Sequence, residues 1–258
     1  MECIWSLNAP SPIDDWPVRP DGCLDIIFSP ERGLEAVGAM TAEARFDIPA
    51  RSTRTGIRFR PGKAAPFLRV DPSELTDLTV SLEQLPVPPV RDLVSRLREA
   101  TSPSDCVRLL SHAIAPPDRG PNPVQRAIEA IAKAHGTIDL DRIARQCNLS
   151  PRHFRRRCLE ESGLTPKVLC RILRFRNAAS LARAKSRDWA AIAAEAGYFD
   201  QAHLIRDFRE FTGRTPMAVF SNPEPAFIAY DEPYEDYARI DRPGNREIPA
   251  LLGRPDRF

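Results

Sequence analysis

The sequence has few of the residues from which metal sites and disulfide frameworks are built. Only four histidines occur in 258 residues, and none of them precedes His112. Because neutral imidazole is the usual protein ligand of transition metals, a histidine-built metal site is excluded from the chain before that residue. The six cysteines are scattered without a C-x-x-C pair, which argues against a zinc module and against the disulfides of a secreted protein. We therefore expect reduced thiols and neither a metal nor another cofactor.

The sequence also has no long apolar run. No segment approaches the roughly 20 apolar residues that a membrane-spanning helix requires. At the N-terminus, no basic region precedes an apolar segment, as it would in a signal peptide. Both absences predict a cytoplasmic protein.

The net charge of +2 hides an uneven distribution of charge along the chain. Residues 1–122 carry 14 basic and 17 acidic side chains, and residues 221–258 carry 5 basic and 8 acidic ones. Residues 123–220, in contrast, carry 18 basic and 10 acidic side chains, a net charge of +8. Positive charge is therefore concentrated in one segment, where it favours contact with a polyanion.

This basic segment contains an internal repeat. One copy spans residues 143–166, and the other spans residues 192–216. The Ile-Ala pair that opens each copy recurs at an offset of 49, whereas Gly163 recurs as Gly213 at an offset of 50. The second copy therefore has one extra residue in its turn.

Each copy has the pattern of a short helix, a tight turn and a second helix. The turn residues Asn148 and Gly197 belong to the types that tolerate a left-handed backbone. Ser150 and Asp200 then offer side-chain oxygens that can cap the second helix. This order of elements, with basic and polar residues opening the second helix, is the helix-turn-helix arrangement of DNA-binding proteins.

Five motifs of this segment are typical of one protein family: LSPRHFRR (149–156), GLTPK (163–167), RILRF (171–175), GYFDQAHL (197–204) and FREFTGRTP (208–216). Through them, residues 123–220 resemble the DNA-binding domain of the AraC/XylS family of bacterial transcription regulators. The resemblance implies a sequence-specific DNA-binding regulator that is not an enzyme. It also implies that the second helix of each copy is a recognition helix, which enters the major groove.

In the first recognition helix, Phe154 and Cys158 lie on one face, and Arg152, Arg155 and Arg156 form the opposite stripe. Guanidinium groups pair with guanine edges or with phosphates. The alternative is a solvated arginine face without a partner. The resemblance implies that all three arginines face the bases, although so many arginines indicate that some contact phosphates instead.

In the second recognition helix, the exposed N-terminal half offers Gln201, Ala202, His203 and Arg206. Glutamine suits adenine, arginine suits guanine, and alanine can contact a thymine methyl group. His203 is ambiguous, since it can contact a base, bind a phosphate or remain a surface residue. The resemblance implies that these four residues are also base-facing.

A helix from Pro166 to about Ala184 is predicted between the two copies, with Pro166 in its first turn. Its length of roughly 28 Å is close to the ~34 Å that separates successive major grooves on one face of DNA. One chain is therefore expected to cover about two turns of the duplex. Three arginines of this helix, Arg171, Arg174 and Arg176, are left for phosphates or acidic neighbours.

The first 85 residues have the pattern of short strands separated by turns, with strands at Cys23–Phe28 and Thr53–Phe59. Segments 20–28, 56–68 and 74–85 are similar to an uncharacterised, cupin-like N-terminal domain of some AraC-type regulators. Two amphipathic helices follow, at 89–100 and 104–114. Their apolar faces can pack against the β-rich domain or form a dimer contact, and both interpretations stay open.

These observations predict an α+β protein, in which a small β-rich, cupin-like domain precedes an all-α double helix-turn-helix domain. The predicted boundaries are 1–115 for the sensor or dimerisation domain, 116–123 for a proline-stiffened linker, 124–220 for the DNA-binding domain, and 221–258 for a disordered tail. The expected partners are double-stranded DNA, an unidentified small-molecule effector, RNA polymerase in the case of an activator, and a second copy of the chain.

One alternative concerns Cys23, on a predicted strand. Some DNA-repair regulators with AraC-type domains use a cysteine as an alkyl acceptor, and a thiol in this position could also sense oxidants. The chain would then be a bifunctional regulator with thiol chemistry in its N-terminal domain. Since the cysteine set that would bind zinc is missing nearby, a packed strand residue is the simpler interpretation.

Overall fold

The computed structural model describes residues 3–87, 90–113, 120–184 and 188–221. Within these ranges the chain forms a β-rich N-terminal domain followed by a helical C-terminal domain. The predicted α+β fold class is therefore confirmed. The predicted tail beyond Ser221 and positions 116–119 of the predicted linker lie outside the described residues.

The strands of the N-terminal domain form two antiparallel sheets. A five-stranded sheet has the order β1-β6-β3-β4-β7, and β2 pairs with β5 in a two-stranded sheet. The strands predicted at Cys23–Phe28 and Thr53–Phe59 are confirmed as β3 and β6. The strand bounds are β1 Cys3–Ala9, β2 Ile13–Val18, β3 Leu24–Ser29, β4 Gly33–Val37, β5 Ala44–Ile48, β6 Ser52–Phe59 and β7 Thr79–Ser81.

Helices cover the apolar face of the larger sheet. Val90, Val94 and Leu97 of α2 are buried in the same core as Ile26 and Ile57 of the sheet, so the predicted packing role of this helix is confirmed. A dimer contact through the same region stays a prediction. The helices of this domain are α1 Ala65–Leu68, α2 Val90–Glu99 and α3 Pro103–Ala113, with 3₁₀ turns at Pro72–Glu74 and Leu82–Gln84.

The C-terminal domain is built around one long helix, α7, which has the predicted bounds Pro166–Ala184. The Phe175 ring of α7 packs edge-on against Phe208 at 4.8 Å and in a tilted arrangement against Phe211 at 5.2 Å between ring centroids. In the described ranges no helix has both the length and the apolar character needed to cross a membrane. The other helices are α4 Pro123–Lys133, α5 Leu140–Gln146, α6 Pro151–Ser162, α8 Trp189–Glu195, α9 Gln201–Thr212 and α10 Pro216–Val219.

The end of the predicted linker belongs to α4. Asn122 caps this helix by accepting a hydrogen bond from Gln125 N, and the Gln125 side chain accepts one from Asn122 N in return. Both side-chain amides also donate to the buried Glu161 carboxylate of α6, at 2.8 and 3.0 Å. The chain is thus fixed to the helical domain from Asn122 onward.

Candidate nucleic-acid interface

The two sequence copies fold into two helix-turn-helix units with the same hydrogen bonds. In the first unit, α5 and α6 are joined by a turn in which Asn148 has φ 56°, and Gly197 has φ 79° in the second unit, between α8 and α9. The next residue closes each turn, since Leu149 N donates to Ala144 O at 3.0 Å and Tyr198 N donates to its equivalent, Ala193 O, at 2.9 Å. The predicted left-handed turns are confirmed in both units.

The second helix of each unit begins and ends at equivalent residues. Ser150 caps α6 by accepting from His153 N at 3.3 Å, and Asp200 caps α9 by accepting from His203 N at 2.6 Å. Each helix then ends at a glycine in the left-handed conformation, Gly163 and Gly213. The N-terminal halves of α6 and α9 therefore both begin at a capped helix end.

The extra residue of the second copy is Phe199. It lies between Tyr198, which closes the turn, and Asp200, which caps α9. Its side chain is 93% exposed, an unusual position for a large apolar ring. We did not single out Phe199 from the sequence, although the change of offset from 49 to 50 places an additional residue in this turn.

In α6 the predicted arginine stripe is present. Phe154 and Cys158 are buried, at 2% and 0% exposure, and Arg152, Arg155 and Arg156 are all exposed. The three arginines border an open groove of about 470 Å³, to which Ser150, His153 and Leu159 also contribute. The first recognition helix therefore offers a continuous basic surface beside its own N-cap.

Local contacts restrain one arginine of this stripe. Arg156 forms an ion pair with Glu160 at 3.3 Å and lies 3.1 Å from the His153 ring nitrogen, although its side chain remains 64% exposed. Arg157, outside the stripe, pairs with Glu161 at 3.1 Å and also with Glu160 at 3.0 Å. Arg152 and Arg155 are thus the stripe members for which the structure gives no acidic partner within α6.

In α9 the predicted residues divide into two groups. Gln201, Ala202 and Arg206 are exposed. His203 is half-buried, with the edge of its ring against Tyr198 at 5.1 Å between centroids. This contact gives His203 a packing role at the turn, in addition to any contact with DNA.

Three arginines of α7, namely Arg171, Arg174 and Arg176, pack against the protein, whereas Arg183 in its last turn is exposed. Arg171 donates to Asp207 at 2.7 Å and to Glu210 at 2.8 Å, so the interpretation that it pairs with acidic neighbours is confirmed. The Arg174 guanidinium lies over the Tyr198 ring at 5.7 Å, and Arg176 is buried with 8% exposure. The interface with a polyanion therefore has to be formed by other basic residues.

Cys23 lies at the buried edge of a charged cluster. Its side chain is 5% exposed, and burial, followed by the Asp21 carboxylate, raises the pKa of its thiol well above the ordinary value. The adjacent Arg58 forms ion pairs with Asp21 at 2.9 Å and Asp25 at 2.7 Å. Because the thiolate is the reactive form of cysteine, these features disfavour alkyl transfer or redox sensing at Cys23.

Family comparisons agree with the two-domain structure. Residues 143–222 match the family model described as "Helix-turn-helix domain", and residues 1–81 match one described as "Domain of unknown function (DUF6597)". No curated protein matches the chain.

Similar solved structures include several of ToxT from Vibrio cholerae. A ligand-free ToxT variant from strain SCE256 is 13% identical with a TM-score of 0.41, over 84% of this chain and 95% of that one. ToxT from strain O395 is 11% identical with a TM-score of 0.40 over the same shares. Wild-type ToxT with a bound unsaturated fatty acid is 11% identical with a TM-score of 0.39, over 84% of this chain and 92% of that one. At such low identity the function has to be argued from the site itself.

Two capped helix-turn-helix units on one central helix, in a strongly basic segment, define a DNA-binding regulator. The helix-turn-helix domain is of the AraC type, and the resemblance seen in the sequence is confirmed.

Proposed function

We propose that the protein regulates transcription by binding a specific DNA sequence, with α6 and α9 entering successive major grooves. Seven residues would form the contacts: Arg152, Arg155 and Arg156 from α6, and Gln201, Ala202, His203 and Arg206 from α9. A small-molecule effector, RNA polymerase and a second copy of the chain remain predicted partners of this regulator, in addition to DNA.

One observation carries this proposal, namely that the N-terminal ends of both recognition helices are equivalent and exposed. Ser150 and Asp200 each cap their helix by accepting a hydrogen bond from the backbone of its third residue. The residues that follow each cap include arginine and glutamine, which discriminate guanine and adenine in the major groove. Positive charge alone would support binding to any DNA, whereas two ordered helix starts with base-discriminating side chains favour a defined sequence.

Selection of bound fragments from the source genome tests the proposal. We expect the wild-type chain to enrich one asymmetric motif of about two helical turns. Arg206→Ala, and separately Arg156→Ala, should each lose about 1–3 kcal/mol of discrimination at the position that the arginine contacts. The fold should survive, because both side chains are exposed.

Arg209→Ala is the matched control, since Arg209 is an exposed arginine of the same helix, about 4.5 Å further along its axis. It removes the same charge at the end of α9 away from the cap. We expect it to leave the motif intact and to weaken all sequences equally or not at all. Equal enrichment by Arg206→Ala and wild type would contradict the base contact, and no enriched motif with wild type would contradict the proposal.

We also propose that Phe199 contacts the DNA. An aromatic ring that is 93% exposed beside the cap of α9 would gain about 1.5–3 kcal/mol on burial against a thymine methyl group or a sugar. Phe199→Ala should therefore weaken operator binding by that amount without changing the unfolding free energy. Met217→Ala is the control, since Met217 is another exposed apolar residue of this domain, 66% exposed on α10.

The chemistry of the Phe199 contact can be tested by replacing single thymines of the operator with uracil. If Phe199 covers a thymine methyl group, one replacement should weaken binding by wild type and have no further effect on Phe199→Ala. If each uracil replacement changes the affinity of wild type and of Phe199→Ala equally, Phe199 does not cover a thymine methyl group, and the sugar is the remaining contact. Unchanged affinity of Phe199→Ala for the operator would show that the ring does not contact DNA.

A further inference from the structure

The N-terminal domain contacts both helix-turn-helix units near the C-terminal ends of their recognition helices. Thr76 Oγ1 donates to Gly163 O at 2.6 Å, at the residue that ends α6. Glu43 N donates to Phe211 O at 2.6 Å, in the last turn of α9. The two recognition helices are thus both held at their C-terminal ends by the same neighbouring domain.

The contacts come from two segments that we call the clamp, residues 38–43 and 71–77. The segments adjoin the paired strands β4 and β7. Asp77 joins them, because its carboxylate accepts from Thr41 N and from Thr41 Oγ1, both at 2.6 Å. Gly38 permits their close approach, since a Cβ at this residue would lie 1.7 Å from Leu75 O. The clamp therefore behaves as one body.

At α6 the clamp fits closely around the helix end. Gly163 has φ 78°, and a Cβ there would lie 3.0 Å from Pro72 O and 3.1 Å from Thr76 Oγ1. This spacing leaves little room for a side chain, so the glycine permits both the left-handed helix end and the approach of the clamp. The first helix-turn-helix unit cannot shift here without losing the Thr76 hydrogen bond.

At α9 the clamp is held by charge. The Glu43 side chain is 5% exposed and accepts from Arg214, just beyond α9, at 3.1 and 3.2 Å. Arg19 and Arg45 of the N-terminal domain also pair with it, at 3.0 and 2.8 Å. A buried carboxylate that binds guanidinium groups from both domains resists separation, because Arg214 would lose this ion pair and Glu43 would keep only Arg19 and Arg45.

Ala39 of the clamp anchors it between these two contacts. Its side chain is 1% exposed and packs in the core of the helical domain. The N-terminal ends of α6 and α9 lie at the other end of these helices, about 18 Å away for a helix of 12 residues. The clamp therefore holds the recognition helices without covering the side chains that would contact DNA.

We propose that Glu43 and Thr76 are positioning residues for DNA recognition. Apart from the clamp, the two units are connected through α7 and through the loop before α5, since a Cβ at Gly197 in the second turn would lie 2.4 Å from Thr137 Oγ1. The clamp adds a link between the C-terminal ends of α6 and α9, and with it the recognition helices keep one separation and one relative orientation. This inference rests on the proposed function, and it adds that the protein discriminates operators by the spacing between their two half-sites.

Operators of altered spacing test the inference on the full-length chain. Binding would be measured to the selected operator and to versions with one or two base pairs inserted between the half-sites. For wild type we expect an insertion of two base pairs to weaken binding by about 100-fold, since one half-site can no longer be engaged together with the other. For the double variant Glu43→Gln with Thr76→Val, the penalty for insertion should fall by about tenfold.

The matched control is Glu35→Gln with Thr79→Val, which makes the same chemical changes on β4 and β7 outside the clamp. Glu35 pairs with Arg32 within the N-terminal domain, and Thr79 is exposed. This control should keep the wild-type penalty. If the double variant of the clamp does not fold, Thr76→Val alone should still reduce the penalty.

The outcomes separate the two proposals. A wild-type protein with no specific operator contradicts the proposed function and the clamp together. If wild type is weakened by the insertion and the clamp variants are weakened equally, only the positioning role is overturned. If the clamp variants bind more weakly than wild type by the same factor at every spacing, the positioning role is also overturned, because Glu43 and Thr76 then support stability alone.

Discussion

Replacing Arg171 with alanine is expected to destabilise the helical domain by about 3–5 kcal/mol. Arg171 of α7 donates to Asp207 of α9 through two nitrogens, at 3.1 and 2.7 Å. The Asp207 side chain is 2% exposed, so the substitution leaves a buried carboxylate without its partner. The ion pair fixes the second recognition helix to the central helix, and its loss should therefore affect the whole domain.

Denaturant unfolding at neutral pH measures this effect. Arg108→Ala is the control, because Arg108 pairs with Asp105 on α3 but is 77% exposed, and exposed pairs contribute about 0–1 kcal/mol. A double variant, Arg171→Met with Asp207→Leu, should recover much of the loss, since no buried charge then remains unpaired. A loss below about 1 kcal/mol for Arg171→Ala would show that Asp207 does not depend on Arg171.

Acid pH should reduce the difference between wild type and Arg171→Ala. The hydrogen bond from Arg171, opposed in part by burial, lowers the pKa of Glu210. A carboxyl group with a lowered pKa in the folded state stabilises the protein above its ordinary pKa, and this contribution is lost as the pH falls through the lowered value. Since Arg171→Ala removes the cause of the shift, its unfolding free energy should depend less on pH in that range.

The helix-turn-helix units could be predicted from the sequence because the interactions that define them are local. Ser150 and Asp200 cap helices through backbone groups three residues away, and Asn148 and Gly197 adopt left-handed turns through their own backbone preferences. Helical periodicity likewise located the buried face of α6, and Pro166 located the start of α7. Such features depend on a few neighbouring residues, and a second copy of the same pattern confirms the first.

The interactions that fix the units to one another could not be predicted in this way. Arg171 and Asp207 are separated by 36 residues, and Glu43 and Arg214 by 171 residues. No periodic pattern indicates which distant charges will meet, because that depends on how the domains pack. The sequence assigned Arg171 to phosphates or to acidic neighbours, and only the packing of α7 against α9 decides between them.

In the candidate site, too, local features could be predicted from the sequence and features that depend on packing could not. Exposure of Arg152, Arg155 and Arg206 follows from helical periodicity, and it was predicted. The contact of His203 with Tyr198 and the exposure of Phe199 were not, because both depend on the path of a turn that carries one extra residue. His203 has an equivalent in His153, so the second unit departs from the first in the additional Phe199 and in the contact of its histidine with Tyr198.

Salt should weaken operator binding strongly, and we expect a loss of about 10³-fold or more between 50 and 200 mM salt, provided that six or more phosphates are neutralised. The segment of residues 123–220 has a net charge of +8. Arg152 and Arg155 of α6 are exposed beside the N-cap, and α6 has more arginines than base contacts need. Affinity would therefore come largely from released counterions, and sequence preference from fewer residues.

The slope of log affinity against log salt separates these roles. Replacement of an arginine that contacts a phosphate should reduce the steepness of the slope by about 1 and should weaken binding to all sequences alike. We expect this result for Arg155→Ala, whereas Arg206→Ala should change the preferred sequence. A wild-type slope shallower than about −2 would mean that very few phosphates are contacted. In that case α6 and α9 could not both lie in the major groove, because two inserted helices bring many more basic side chains to the backbone.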